Sequence, residues 1–351
     1  MNRSRSYIAA RVLALAGFVL ATQVLAAPKK KKGPERAEQA TTASPSRAVL
    51  WRHPADIRSR DLFYGPGGPR HVPPARVVFV REDFAGTNPK LVVRDASGVQ
   101  WTLKLGAEAR PEIAATRIVW AVGYFANEDY FLRRVRVEDL PARLRRGQKY
   151  VRPGGVVVNA RMKRHLKGEK KLGYWHWRQN PFTGTRELGG LRVMMALINS
   201  WDLKDDNNAI YQEKDGAKGH AAPRVYMVKD LGSSFGTTGQ SWTDAMTKGN
   251  LKSYRRSKFI TKETPGYIDF DVPTRPALNY LFVLPMYITD LRSHWIGRHI
   301  PRADVRWIAQ LLARLSPRQI SDAFRAAGYS PAQVRGFSRV VEQRIAVLTK
   351  M

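Results

Sequence analysis

Residues 201–210 read WDLKDDNNAI, and VKDLGSSFG follows at 228–236. One short loop thus holds Asp202, Asp205, Asp206, Lys204, Asn207 and Asn208. Carboxylates this close repel one another, and Asp and Asn side chains compete for backbone hydrogen bonds, so the cluster calls for a cation or a metal-bound phosphate as its partner. The apolar run at 188–201 reads as a buried helix that delivers the loop. Tyr226, Met227 and Val228 read as a strand that delivers the second stretch.

Upstream, RVVFV at 76–80 and LVVR at 91–94 read as strands. A turn at Asp95-Ala96-Ser97-Gly98 leads into VQWTLKL. In that last arm Val99, Trp101, Leu103 and Leu105 point one way, and Gln100, Thr102 and Lys104 the other, which places Lys104 on the polar face. A helix is expected next, with Pro111 at its first position, Glu112 in its first turn and Gly123 at its C-cap. Residues 137–180, basic and punctuated by Gly and Pro, read as loop-rich. From Asn279 onward the pattern is helical, with starts at Ser316-Pro317 and Ser330-Pro331.

Asp202, Lys204 and Asn207 keep the D-L-K-x-x-N spacing of a kinase catalytic loop, and Asp230-Leu231-Gly232 stands where such an enzyme has D-F-G. A strand lysine and a helix glutamate precede them in the required order. On these motifs the chain resembles the protein-kinase-like superfamily over roughly residues 76–300. Within it the chain looks closer to the phosphoinositide-kinase-like, toxin-kinase-like and secretory-pathway members than to ordinary protein kinases.

The resemblance implies an α+β bilobal fold, with a small antiparallel β lobe carrying one helix and a larger, mainly helical C-terminal lobe. It implies a phosphotransferase using ATP with magnesium or manganese. Lys104 and Glu112 would pair on the nucleotide phosphates, Asp202 would act as base with Lys204 beside it, and Asn207 and Asp230 would hold the metal. The chain departs from the family pattern at several points. No G-x-G-x-x-G precedes Lys104, so Gly86, Thr87 and Lys90 are the candidates for cradling phosphate. Glu112 follows Lys104 closely and Glu108 rivals it, Asn208 rivals Asn207, Ser200-Trp201 replaces His-Arg, and a Lys/Gly/Asp insert occupies 213–219.

The rest of the chain bounds the setting. Its 351 residues are 43% hydrophobic, enough for a sizeable core. Arg3, Arg5 and Arg11, an apolar run and a small-residue site before Ala27 read as a cleavable leader over 1–26, hence a periplasmic or secreted protein. Residues 27–47 read as a disordered basic linker. The nucleotide lobe is expected over 48–135 and the catalytic lobe over 136–351. No cysteine is present, which excludes disulfides and thiolate metal sites.

A net charge of +31 attracts polyanions. The expected partners are a nucleotide and a hydroxyl acceptor on a protein, glycan or lipid. An anionic envelope polymer or membrane surface is a further candidate; no aromatic-interleaved motif points to nucleic acid. The alternative is a catalytically inactive kinase-like envelope protein that binds such a polymer or lipid. An EF-hand through Asp202, Asp206, Asn208 and Glu213 fails because Lys204 falls at a ligand position and no Gly stands at the sixth. Neither H-E-x-x-H nor G-x-S-x-G occurs. Trp175 and Trp177, before Asn180-Pro181-Phe182, read as core packing, with an acceptor platform as the alternative.

Overall fold

Apolar residues recurring at every second position build the first half of the structure. The chain is described here by a computed structural model covering residues 48–213, 223–238, 247–273 and 293–351. The expected leader and linker lie outside the described residues, as do the insert from 214 on and residues 279–292 of the expected helical region. Among the described residues no helix is long and apolar enough to cross a membrane.

After a two-residue strand β1 (Ala48–Val49) come β2 (Arg76–Asp83), β3 (Lys90–Arg94), β4 (Gln100–Leu105), β5 (Asp129–Glu138), β6 (Val151–Arg152) and β7 (Val156–Arg164). The last six form one sheet in the order β4-β3-β2-β5-β7-β6. Because β4 also pairs with β7, the five longer strands close into a ring. Val77, Leu91, Val93, Leu103, Val157 and Met162 fill its interior. The β3–β4 turn is fastened by Asp95, whose carboxylate accepts from Ser97 N, Val99 N and the Trp101 indole.

This sheet corrects three expectations. It is not wholly antiparallel, since β2 and β5 run parallel. A lobe boundary at 135 falls inside β5, and the segment expected to be loop-rich contains β6, β7 and β8 (Glu169–Gly173). Charge hid β7: its outward positions Arg161 and Lys163 read as loop chemistry, yet they alternate with buried Ala160 and Met162.

Helix α1 (Ala109–Ala121) lies on the outside of the ring. It begins two residues before Pro111, with Glu108 as its N-cap residue. Past its C-cap, Gly123 takes φ +103, where a Cβ would stand 2.4 Å from the Arg52 carbonyl oxygen. Glycine is therefore required there.

A second sheet, β1-β10-β9-β8, is built from β8, β9 (Asn208–Glu213) and β10 (Arg224–Val228) together with β1. Helix α2 (Arg186–Leu197) packs in the larger core, N-capped by Thr185, which accepts from Leu188 N at 3.3 Å. Helix α3 (Leu251–Arg256) precedes a small sheet of β11 (Ile260–Glu263), β12 (Tyr267–Phe270) and β13 (Ile300–Pro301). Helices α4 (Arg302–Leu312), α5 (Pro317–Ala326) and α6 (Pro331–Leu348) finish the chain.

Both serine-proline starts hold. Ser316 and Ser330 each cap their helix in a box closed by Gln319 and Gln333. The architecture is mixed α and β throughout. Beside its helices, the second half carries two sheets, of which the sequence pattern announced only the strand at 226–228.

Candidate active site

Lys104 is the centre of the site. Strand alternation does place it opposite Trp101, Leu103 and Leu105, but α1 covers that face, so Lys104 is buried at 4% exposure and is not solvated. A buried ammonium must be compensated. Its Nζ lies 2.6 Å from Glu108 Oε2, 3.0 Å from Glu112 Oε2 and 3.1 Å from Asp230 Oδ1. Both rival glutamates are thus engaged, since a short turn from β4 into α1 brings the N-cap and the first helical turn over the same lysine.

The network extends behind Lys104 through residues that motif reading missed. Cross-strand pairing sets Lys90, Lys104, Arg161 and Phe131 in one rung across β3, β4, β7 and β5. Arg161 reaches Glu112 Oε1 at 3.1 Å and Asp129 Oδ2 at 2.9 Å, and Arg117 reaches Asp129 Oδ1 at 3.0 Å. Lys248 pairs with Glu108, which also accepts from Asn88 Nδ2 at 2.6 Å. The cations Lys104, Arg117, Arg161 and Lys248 therefore meet the anions Glu108, Glu112, Asp129 and Asp230. No sequence motif announces Arg161, Asp129 or Arg117; the one available signal was the alternation of β7.

These contacts set the proton affinities. Burial opposes the Lys104 charge, but Glu112, Asp230 and Glu108 raise its pKa above the ordinary lysine value. Burial alone would raise the Glu108 pKa; the ammoniums of Lys104 and Lys248 outweigh it and hold Glu108 down to about 2. Glu112 is pushed up to about 7 by burial, against the pull of Arg161 and Lys104. Three carboxylates, Glu108, Glu112 and Asp230, converge as a metal site would, but the Lys104 ammonium already contacts all three.

The loops carrying Asp202 and Asp230 are laced together by backbone hydrogen bonds. Trp201 N donates to Ser233 O at 3.1 Å and Phe235 N to Ile198 O at 2.8 Å. The Asn207 carbonyl accepts from Lys229 N at 2.9 Å and Asp230 N at 3.3 Å, while the Asn207 side chain donates to the Asp202 carbonyl at 2.6 Å. Lys204 Nζ lies 3.2 Å from Asp202 Oδ1. Asn208 is fully buried and donates instead to the Trp175 carbonyl at 2.9 Å. Of the two asparagines, Asn207 is the one tied to both aspartates.

In the segment with Gly86 and Thr87 the carbonyl oxygens accept from the Arg146 guanidinium, and Lys90, paired across the strands with Lys104, has its Nζ 3.4 Å from Asp83 Oδ2. The loop's link to the site is Asn88. Trp175 and Trp177 are both buried, as core packing predicts.

No family model matches this sequence, and no curated protein matches it. Among solved structures the chain is similar to the crystal structure of a Helicobacter pylori proinflammatory kinase, CtkA. That match has 10% identity and a TM-score of 0.44, over 79% of this chain and 98% of that one. The chain is also similar to the Golgi casein kinase solved with Mn/ADP bound, at 11% identity and a TM-score of 0.34, over 79% of this chain and 73% of that one.

Proposed function

We propose that this chain is an ATP-dependent phosphotransferase with a bilobal kinase-like organisation, acting on a hydroxyl of a protein, glycan or lipid. The observation that carries it is the meeting of Lys104, Glu112 and Asp230, with Lys104 Nζ 3.0 Å from one carboxylate and 3.1 Å from another that lies 126 positions along the chain. Asn207 joins Asp230 to Asp202. Phosphoryl transfer needs these parts: a cation on the phosphates, oxygen ligands for a metal, and a carboxylate on the acceptor.

Asp230 and Asn207 fit magnesium or manganese. Such ions take oxygen donors, and the Asp230 side chain is 36% exposed, while the Asn207 amide nitrogen, by donating to Asp202, leaves its oxygen for a ligand. Bound there, the metal would neutralise phosphate charge. Lys104 would hold the phosphates, Glu112 would orient Lys104, and Lys204 would keep Asp202 aligned. Asp202 would accept the hydroxyl proton as the acceptor oxygen bonds the γ-phosphorus and ADP departs. Export through the leader belongs to the same reading, and cell fractionation tests it.

The functional test is a thermal shift with Mg-ATP on wild type, Lys104→Ala and Asp230→Asn. A metal-dependent stabilisation lost in both variants supports the reading. No stabilisation of wild type by any nucleotide with magnesium or manganese overturns it and favours the non-catalytic anion-binding alternative.

A further inference from the structure

The Glu108 carboxylate is gripped by donors from three separate stretches of chain. Its Oε2 lies 2.6 Å from Lys104 Nζ on β4 and accepts from Asn88 Nδ2, in the β2–β3 loop, at 2.6 Å, while its Oε1 meets Lys248. None of these donors belongs to the helix that Glu108 begins. An acidic N-cap side chain ordinarily accepts from an N–H of the first turn. Glu108, the N-cap residue of α1, makes no such bond. Its carboxylate turns away from the helix and fills a buried cradle of two ammoniums and an amide.

Lys248 reaches this cradle from a stretch that carries no motif. Thr247 N donates to Thr237 O at 2.8 Å, Gly249 N to Ser234 O at 2.9 Å and Asn250 N to Phe235 O at 2.8 Å, which ladders the stretch onto the chain that follows Asp230. The Lys248 ammonium stands 5.2 Å from the Trp201 ring centroid, and the Trp201 indole donates to Thr247 O at 3.2 Å. Trp201 immediately precedes Asp202. Lys248 therefore stands where the Lys104 cluster meets the root of the candidate catalytic loop.

Charge decides what suits the cradle. A carboxylate brings one negative charge and two oxygens to these donors, whereas a terminal phosphate brings nearly two charges and three strong acceptor oxygens. We propose that Glu108 is a resident stand-in for the terminal phosphate of the nucleotide, and that Lys248, with Asn88, holds that phosphate once the carboxylate withdraws. The inference rests on the phosphotransfer reading and adds two phosphate-holding residues to it. Withdrawal of Glu108 costs α1 no side-chain cap. With Lys104 on the phosphates, the one nearest Asp202 is the terminal one, and Lys248 stands on that side.

The test is calorimetric binding of Mg-ATP, Mg-ADP and magnesium tripolyphosphate to the full chain without acceptor. Wild type, Lys248→Met, Lys248→Arg and, as a charge control, Lys252→Met are compared; Lys252 is exposed on α3. Expected is Mg-ATP binding at least tenfold weaker in Lys248→Met, with Mg-ADP binding changed less than twofold, which also shows that the variant is folded. Lys248→Arg should bring ATP binding back to within threefold of wild type, and Lys252→Met should change neither ligand. A purely structural ion pair with Glu108 would move ATP and ADP together, so equal losses overturn the proposal while leaving the nucleotide reading standing. An unchanged Lys248→Met overturns it as well. So does an equal effect of Lys252→Met, which would mean diffuse attraction to a basic chain. If wild type binds neither nucleotide, the nucleotide reading fails, and tripolyphosphate decides separately: saturable binding lost in Lys248→Met keeps Lys248 as a phosphate-holding residue, and no binding sinks it too.

Discussion

Glu108 approaches Lys104 more closely than Glu112 does, 2.6 Å against 3.0 Å. The two carboxylates are not equivalent. Glu112 is backed by Arg161 at 3.1 Å and fixes the lysine from within the helix. Glu108 sits at the helix N-cap, tied to Asn88 and Lys248, and competes with any incoming phosphate for the same ammonium. Glu108→Gln is therefore expected to tighten Mg-ATP binding about threefold to tenfold, roughly 1 kcal/mol. Glu112→Gln is expected to weaken it by a similar factor, because Lys104 loses its orientation. Calorimetric titration of both variants decides this; equal weakening in both would remove the distinction.

Asp129 is fully buried between two guanidiniums, Arg117 at 3.0 Å and Arg161 at 2.9 Å. Asp129→Asn removes the charge, leaving Arg117 without a carboxylate and Arg161 with Glu112 alone. Breaking a buried pair in this way costs about 3–5 kcal/mol. A urea midpoint lowered accordingly is expected, and a change below about 1 kcal/mol would show that Glu112 suffices to balance the arginines.

Much of this site was legible in advance because its parts are local motifs. D-L-K-x-x-N and D-L-G each fix neighbours within a few residues, and strand alternation gave the face of Lys104. Burial was not legible: whether a polar strand face meets water or a helix is decided by tertiary packing, and α1 happens to lie over Lys104. β7 went unread for the same reason, since Arg161 is a core residue only because Glu112 and Asp129 arrive from other elements. The choice between Asn207 and Asn208 needed a hydrogen bond, the one from Asn207 to Asp202 O. Nor was it legible that the Gly86 and Thr87 carbonyls face Arg146, which arrives from a later stretch of the chain.

Lys163 lies beyond Arg161 on β7, and no carboxylate pairs with it among the described residues. Burial, with the charge of Arg161, lowers its pKa to about 8; Glu169 and Glu112 pull the other way and Lys229 adds to the lowering. A lysine whose folded pKa lies below its unfolded value destabilises the fold while both states are protonated. That cost is fully present below pH 8 and is relieved as pH rises toward the unfolded value near 10.5. Lys163→Met should thus raise stability at pH 7 by on the order of 1 kcal/mol. Its advantage should shrink between pH 8 and 10. Urea titrations at pH 7 and pH 10 give the comparison, and an advantage that grows with pH contradicts the assignment.

Gly232 closes D-L-G for a steric reason. A Cβ there would stand 2.6 Å from Glu108 Cβ and 2.9 Å from its Oε2, so the glycine lets the Asp230 loop pass against the start of α1. Gly232→Ala is expected to cost about 1–3 kcal/mol as the two segments are forced apart. It should also weaken nucleotide binding, since Asp230 and Glu108 move relative to Lys104. The cause is checked by a double-mutant cycle with Glu108→Gly. That background lacks the Glu108 Cβ as well as the carboxylate, so the loop regains room and the penalty for Gly232→Ala should fall by at least 1 kcal/mol. Additive penalties would mean that the glycine serves the backbone of the Asp230 loop, and the contact with Glu108 would carry no weight.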